Sequence, residues 1–259
     1  MKPAKNSSVK RRRRWPLTIT GLIAVLIVGP LLASSAVYGG SNREWWSARR
    51  DATGLAPDPA TTPEAVVQVY AARAFGWRGA FGVHTWIAVK QANADHYVRL
   101  EVIGWGVGRG GSAVRVRRGD PDGYWYGSYP EVLTELRGEA AEGAIEKIAA
   151  AAKSYPHPAE YTVWPGPNSN TFTAHVGRQV PELRLDLPPT AVGKDYLPGG
   201  NFAASTPSGT GFQVSLFGLL GLAVGVEEGI ELNLLGLNLG IDVKSLGLRL
   251  PGIGSVNLI

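Results

Sequence analysis

The chain has 259 residues, no cysteine and a formal net charge of +5. The absence of cysteine excludes disulfide bridges, thiol nucleophiles and metal sites with cysteine ligands. Seven of the 26 basic residues precede residue 15, so the remaining 19 face 21 acidic residues, and this balance argues against nucleic acid as a partner.

The amino-terminal region predicts a membrane anchor. Seven basic residues and no acidic one precede an uncharged run over 17–37. In an α-helix this run extends about 30 Å, the thickness of the bilayer hydrocarbon core. We expect a basic cytoplasmic tail over 1–16 and one transmembrane helix over 17–37, in preference to a signal peptide cleaved after Ala36. The positive-inside rule then places the rest of the chain outside the cytoplasm.

A linker and several strands are predicted next. Residues 38–62 are rich in glycine, proline and threonine and predict a linker. The β-branched residues of 66–70 favour a strand over a helix. Runs 83–90 and 97–105 predict a β-hairpin, because both are rich in β-branched and aromatic residues and a polar turn joins them. Alternation over 113–118 predicts a half-exposed strand.

Two helices are predicted after these strands, over 130–154 and 170–180, from apolar residues at intervals of three and four. Strands followed by helices predict an α+β domain, which we place at 63–205.

The last segment, 206–259, repeats a pattern of leucine and glycine. Residues 219–225 recur at 234–240, and alternation of apolar residues predicts strands. The alternation changes phase at Leu234 and Leu235, where we expect a β-bulge. We expect the apolar side chains to cover the core, in preference to lying on a bilayer or binding a lipid.

Two distant segments carry residues suited to nucleophilic catalysis. Ser169 lies where a predicted helix begins, and backbone N–H groups there stabilise negative charge. A hydroxyl needs a general base, for which His84 is the candidate, and Glu101 or Tyr97 on the next strand would orient its ring. The alternative is structural: residues 168–171 are of types that cap helices, and His84 is then a hydrogen-bonded strand residue.

The order of His84 followed by Asn-Ser-Asn-Thr-Phe at 168–172 resembles the circularly permuted papain-like group. This group includes PPPDE peptidases, relatives of lecithin retinol acyltransferase and NlpC-type cell-wall hydrolases, which carry cysteine where this chain has Ser169. The resemblance covers residues 65–185. It implies an α+β fold with an antiparallel sheet plus helices, and a hydrolase or acyltransferase of amide or ester bonds.

The chain is also similar to a bacterial membrane-anchored family, domain of unknown function 3750, through residues 83–89, 164–172 and 193–200. We expect Ser169, His84 and Glu101 to be catalytic. The neighbours of these motifs are expected to contact the substrate: Asn168, Asn170, Trp86 and Trp164.

No cofactor is predicted. His96, His157 and His175 lack metal-ligand spacing with any acidic residue, so we predict no metal site. The aromatic residues between Tyr124 and Tyr129 are expected in a core, with sugar stacking as the alternative.

The sequence therefore predicts a single-pass protein of the bacterial inner membrane with a periplasmic domain. Its expected partners are the lipid bilayer and an envelope substrate, either a peptidoglycan peptide or a lipid. The alternative is a non-catalytic envelope scaffold, or a module that binds a lipid or a partner.

Overall fold

Two antiparallel sheets and three α-helices occupy residues 15–38 and 44–257, which are the residues that the computed structural model describes. The α+β prediction is confirmed at this level. The strands of the first sheet are β1 (Val66–Arg73), β2 (Val83–Lys90), β3 (Val98–Val102), β4 (Val114–Arg118) and β5 (Glu131–Arg137). Their order across the sheet is β4-β3-β2-β1-β5.

The first sheet is covered on both faces. Helices α2 (Glu139–Lys153) and α3 (Ser169–Gln179) pack on one face, where apolar residues of β1, β2 and β3 form the main core with Ile148 and Phe172. The opposite face carries a smaller cluster around Tyr70 and Trp86, against which Leu55 and Trp125 pack. With both faces covered, β2 is buried at every position, including the polar residues His84, Thr85 and Lys90.

The strands predicted near 66–70, 83–90, 97–105 and 113–118 are confirmed, and so is a helix over 170–180. The single helix predicted over 130–154 is wrong in its first half, because residues 131–137 form β5 and pair with β1. Gly138, with φ 57° and ψ −135°, separates this strand from α2 in a conformation suited to glycine.

The second sheet is a meander of seven strands that follow one another in chain order. They are β6 (Ala203–Ser205), β7 (Gly211–Leu216), β8 (Leu220–Gly225), β9 (Gly229–Leu234), β10 (Leu237–Asp242), β11 (Gly247–Leu250) and β12 (Gly254–Val256). The predicted strands are confirmed. The predicted bulge is wrong: Leu235 and Gly236, with φ of 55° and 80°, form a two-residue hairpin turn, and this turn changes the phase of the pattern.

The second sheet turns its polar face inward. Its buried side chains include Gln213, Ser215, Glu231, Asn233, Asn238 and Arg249. Its exposed side chains include Phe212, Val214, Leu216, Leu220, Leu222, Val224, Ile230, Ile241 and Leu248. The expectation that the apolar side chains cover the core is therefore wrong, because charged partners on the first domain hold the polar face against it.

Helix α1 (Trp15–Tyr38) covers the predicted anchor segment. The hydroxyl of Ser34 donates hydrogen bonds to the carbonyls of Ala80, at 2.5 Å, and Gly252, at 2.9 Å. Within residues 15–38 and 44–257, no helix combines the length and the apolarity needed to cross a bilayer. The anchor stays a prediction, and most of the predicted tail over 1–16 lies outside the described residues.

The described part of the predicted linker, 44–62, contains no helix or strand and is bound to the domain. The carboxylate of Asp122 accepts hydrogen bonds from the backbone N–H groups of Leu55, at 2.6 Å, and Ala56, at 3.1 Å. Tyr97 donates its hydroxyl to the carbonyl of Pro57 at 3.0 Å. These bonds hold the segment against one face of the first sheet.

Candidate functional site

A cavity of about 710 Å³ lies where β2 begins and β3 ends. The start of α3 and the β9–β10 turn of the second sheet also reach its wall. Much of the wall is aromatic: Trp45, Phe75, Trp77, Phe81, Trp105, Trp125, Tyr126, Tyr161 and Trp164. A volume of several hundred cubic ångströms with a few convergent polar groups is typical of a small-molecule site.

His84 is a buried titratable group on this wall. Its Nε2 lies 3.0 Å from Oε2 of Glu101, and its ring stacks on Trp125 with centroids 3.6 Å apart. Its Nδ1 has no hydrogen-bond partner among the described residues. Burial lowers the pKa of His84 and outweighs the raising effect of Glu101. The ring is therefore neutral near pH 7, with Nε2 donating to the carboxylate and Nδ1 left as an acceptor.

Glu101 is a buried carboxylate surrounded by donors. Besides His84, Arg99 donates to Oε2 at 2.9 Å and Arg117 donates to Oε1 at 3.2 Å. Burial on its own raises the pKa of Glu101, but the hydrogen bond to His84 and the charge of Arg99 together bring it well below its usual range. Glu101 is thus ionised and orients the ring. Tyr97, the other candidate for this position, bonds Pro57 instead.

Asn168 caps α3. Its Oδ1 accepts from the backbone N–H groups of Asn170, at 3.0 Å, and Thr171, at 3.2 Å, while its own N–H donates to Thr171 Oγ1. Its Nδ2 donates to two backbone carbonyls. Gly193, with φ 99°, packs against this amide so closely that a Cβ atom there would lie 2.4 Å from Nδ2. Both the oxygen and the nitrogen of this amide are therefore hydrogen-bonded within the protein.

Asn170 joins α3 to β2. Its Nδ2 donates to the carbonyls of Val83, at 3.0 Å, and Val192, at 2.8 Å, and its Oδ1 accepts from Thr85 at 3.0 Å. Asn168 and Asn170 both line the cavity, but their amides are engaged in these internal bonds. A substrate contact for either residue stays a prediction.

Ser169 is the first residue of α3, is buried and lines the same cavity as His84. Neither its hydroxyl nor its N–H has a hydrogen-bond partner within the described part of the chain. Thr85 turns its hydroxyl towards α3, whereas His84 lies on the opposite face of β2 with Trp86. The structure thus brings Ser169 and His84 to one cavity, but no hydrogen bond joins them among the residues described.

The two predicted tryptophans differ in position. Trp86 is fully buried, stacks on Tyr70 with ring centroids 5.4 Å apart and donates to the carbonyl of Pro121. It is outside the cavity wall. Trp164 is half exposed, lines the cavity and donates to the carbonyl of Leu235 at 2.8 Å.

Three contributors to the site were not predicted from sequence: Trp125, Arg117 and Arg99, which also bonds Glu101. Trp125 stacks on His84. The aromatic residues around Trp125 stand out in the sequence, but nothing there links them to the histidine. Arg117 bonds Glu101, and its signal is the alternation of arginine along β4. Across the described residues, no group of three or more His, Asp or Glu side chains is placed to hold a metal ion.

The family described as protein of unknown function (DUF3750) matches residues 64–196, just over half of the chain. The chain belongs to this family. The DUF3750 region contains His84, Glu101 and Ser169, and the second sheet lies beyond it. Comparison with curated proteins and with solved structures finds no match.

Proposed function

We propose that this DUF3750 protein is a hydrolase or acyltransferase that cleaves amide or ester bonds through Ser169. The observation that carries the proposal is the state of His84. Glu101 fixes its Nε2, while Nδ1 remains an unpartnered base on the wall of a cavity that Ser169 also lines. A neutral histidine oriented by a carboxylate is the arrangement that general-base catalysis requires.

In this mechanism, Ser169 Oγ attacks the carbonyl carbon of the substrate while Nδ1 of His84 takes the hydroxyl proton. The N–H of Ser169, unpaired at the start of α3, faces the developing oxyanion with support from the helix dipole. The histidine then protonates the leaving alcohol or amine. Water or a second acceptor attacks the acyl-serine, giving hydrolysis or acyl transfer.

The chain order and the packing support a permuted papain-like assignment. His84 and Glu101 lie on adjacent antiparallel strands, and Ser169 begins a helix packed against the same sheet. The hydrogen bond between Ser169 and His84 requires the histidine ring or the start of α3 to move when substrate enters, because the ring lies on the face of β2 opposite α3.

The aromatic wall favours a substrate with an apolar acyl or aromatic part. With the predicted anchor over 17–37, we propose that the cavity faces the extracytoplasmic side of a bacterial membrane. A lipid ester fits this wall better than a peptidoglycan peptide, because few charged groups line it.

The test is covalent labelling of the full chain with a fluorophosphonate probe, followed by peptide mass spectrometry. We expect modification at Ser169, and loss of it in Ser169→Ala, His84→Gln and Glu101→Gln. Ser215→Ala is the matched control, because Ser215 is also a buried serine but lies in the second sheet. Undiminished labelling in the folded Ser169→Ala variant would contradict the proposal.

The missing hydrogen bond between Ser169 and His84 favours a second candidate, a non-catalytic module that binds an apolar ligand in the same cavity. Protein purified under native conditions would then carry a bound lipid, detectable by mass spectrometry after extraction. Ser169→Ala would retain this ligand, while Trp105→Ala, which removes part of the aromatic wall, would lose it.

A further inference from the structure

The outer face of the second sheet is a continuous aliphatic surface. The strand register aligns one residue from each of six strands in a row: Phe212, Val224, Ile230, Ile241, Leu248 and Val256. A second row runs from Val214 to Leu239 and a third from Leu216 to Leu237, with an apolar side chain at every position. We call these three rows the aliphatic face. Six strands at about 4.8 Å spacing make it about 24 Å wide.

The orientation of this sheet is fixed by charges on its other face. Arg249 donates to both carboxylate oxygens of Asp186, at 2.7 and 2.8 Å, and to Glu231 at 2.6 Å. Lys194 donates to Glu231 at 2.5 Å and to Asp195 at 3.0 Å. Turning the sheet over would leave these ions buried without partners, which costs several kcal/mol for each ion. The aliphatic face is therefore held outward.

Helix α1 adjoins this sheet and exposes apolar residues of its own. It contacts β10 and β11, and Ser34 bonds the carbonyl of Gly252 in the turn after β11. Val25, Val28 and Leu32 are exposed along it. Seven of the 26 basic residues precede this helix in the sequence, with no acidic residue among them. An apolar helix preceded by a cationic segment complements a bilayer with anionic headgroups, and the second sheet adjoins this helix.

We propose that the aliphatic face docks on the surface of a lipid bilayer. Protein interfaces concentrate binding energy in tryptophan, tyrosine and arginine, and none of these occupies a position in the three rows. Acyl chains need no directional partners, so a sheet of leucine, valine and isoleucine is sufficient to bind them. This surface requires no catalysis at Ser169, so its test is separate from that of the proposed reaction.

The natural absence of cysteine allows one fluorescent label to be placed at a single chosen position. The full chain carrying Ile241→Cys, labelled with an environment-sensitive dye, is reconstituted into phosphatidylcholine vesicles containing one quarter phosphatidylglycerol and a lipid-borne nitroxide quencher. The matched control is Val116→Cys on β4, because Val116 is 57% exposed and Ile241 is 55% exposed. Both labels are also read in vesicles without quencher.

We expect the nitroxide to quench the label at position 241 about tenfold more strongly than the label at 116, because a docked apolar face lies about 5–10 Å inside the headgroup boundary. Equal quenching at the two positions would overturn the proposal. Position 241 could instead be shielded only at a high protein-to-lipid ratio and become accessible on dilution with lipid. That result would assign the face to a second copy of the chain and would also overturn the proposal.

Discussion

The two sheets bury opposite kinds of side chain. The first sheet packs aliphatic residues such as Ile87 against α2 and α3, and aromatic residues cover its other face. The second packs glutamate, asparagine and arginine against the domain and exposes its aliphatic residues. Alternation along a strand therefore defines two faces, and the partners available on the neighbouring layer decide which of them is buried.

The largest effect is expected where the inner face of the second sheet is broken. Arg249→Met leaves the half-buried Asp186 without its cation and the buried Glu231 with Lys194 alone, and should lower the free energy of unfolding by about 3–5 kcal/mol. Arg184→Met, which removes an exposed ion pair with Glu227, should cost at most about 1 kcal/mol. Urea denaturation of both variants measures the difference. Equal losses would show that the inner charges do not hold the sheet.

A matched pair of truncations compares the aliphatic residues of the two sheets. Ile87→Ala removes a fully buried side chain of β2 and should cost about 2–5 kcal/mol. Ile241→Ala removes an exposed one and should change the free energy of unfolding by about 0.5 kcal/mol or less in the absence of lipid. A large loss in Ile241→Ala under that condition would indicate that the aliphatic face is already covered by protein.

A smaller loss of stability is expected from a substitution at the start of α3. Asn168→Ala leaves the N–H groups of Asn170 and Thr171 without their acceptor, which should cost about 1–2 kcal/mol. Asn201→Ala provides the control, because Asn201 is exposed and outside the helix. Thermal unfolding followed by circular dichroism reports both changes. If the Asn168 variant matched its control, the cap would not contribute to folding.

The smallest effect is expected in the pH dependence of stability, through the carboxylate of Asp195. Burial alone raises the pKa of Asp195, but Lys194 and the amides of Asn233 and Asn238 bring it below its usual value. The folded pKa lies below the unfolded value of about 3.9, so this stabilisation is complete above about pH 4 and is lost as the pH falls through the folded pKa. Denaturant unfolding at a series of pH values should show that the free energy of unfolding falls less steeply towards acid pH in Asp195→Asn than in the unchanged protein. An unchanged slope would exclude this carboxylate as a contributor.

Local signals predicted much of the first sheet. The hairpin of β2 and β3 followed from β-branched runs around a polar turn, and α3 followed from apolar residues spaced four apart. The strand β5 was missed because Leu133, Leu136 and Ala140 recur at helical spacing, whereas pairing with β1 decided the structure. Such pairing is a long-range contact that a local pattern does not contain.

The arrangement of the site residues could not be predicted from the sequence. The choice between Glu101 and Tyr97 depended on strand register and on the arginines around the carboxylate. The stacking of Trp125 on His84 joins residues far apart in the chain. Residue types alone identified His84 and Ser169 as candidates, but only the fold shows that α3 packs on the face of β2 that carries Thr85 and not on that of His84.

The bond between Ser34 and Gly252 connects residues 218 positions apart, and the same hydroxyl bonds the carbonyl of Ala80. Ala80 belongs to the segment between β1 and β2 of the first sheet, and Gly252 to the turn between β11 and β12 of the second. One serine hydroxyl of α1 therefore contacts a connection of each sheet, so a displacement of the helix at this point would act on both sheets together.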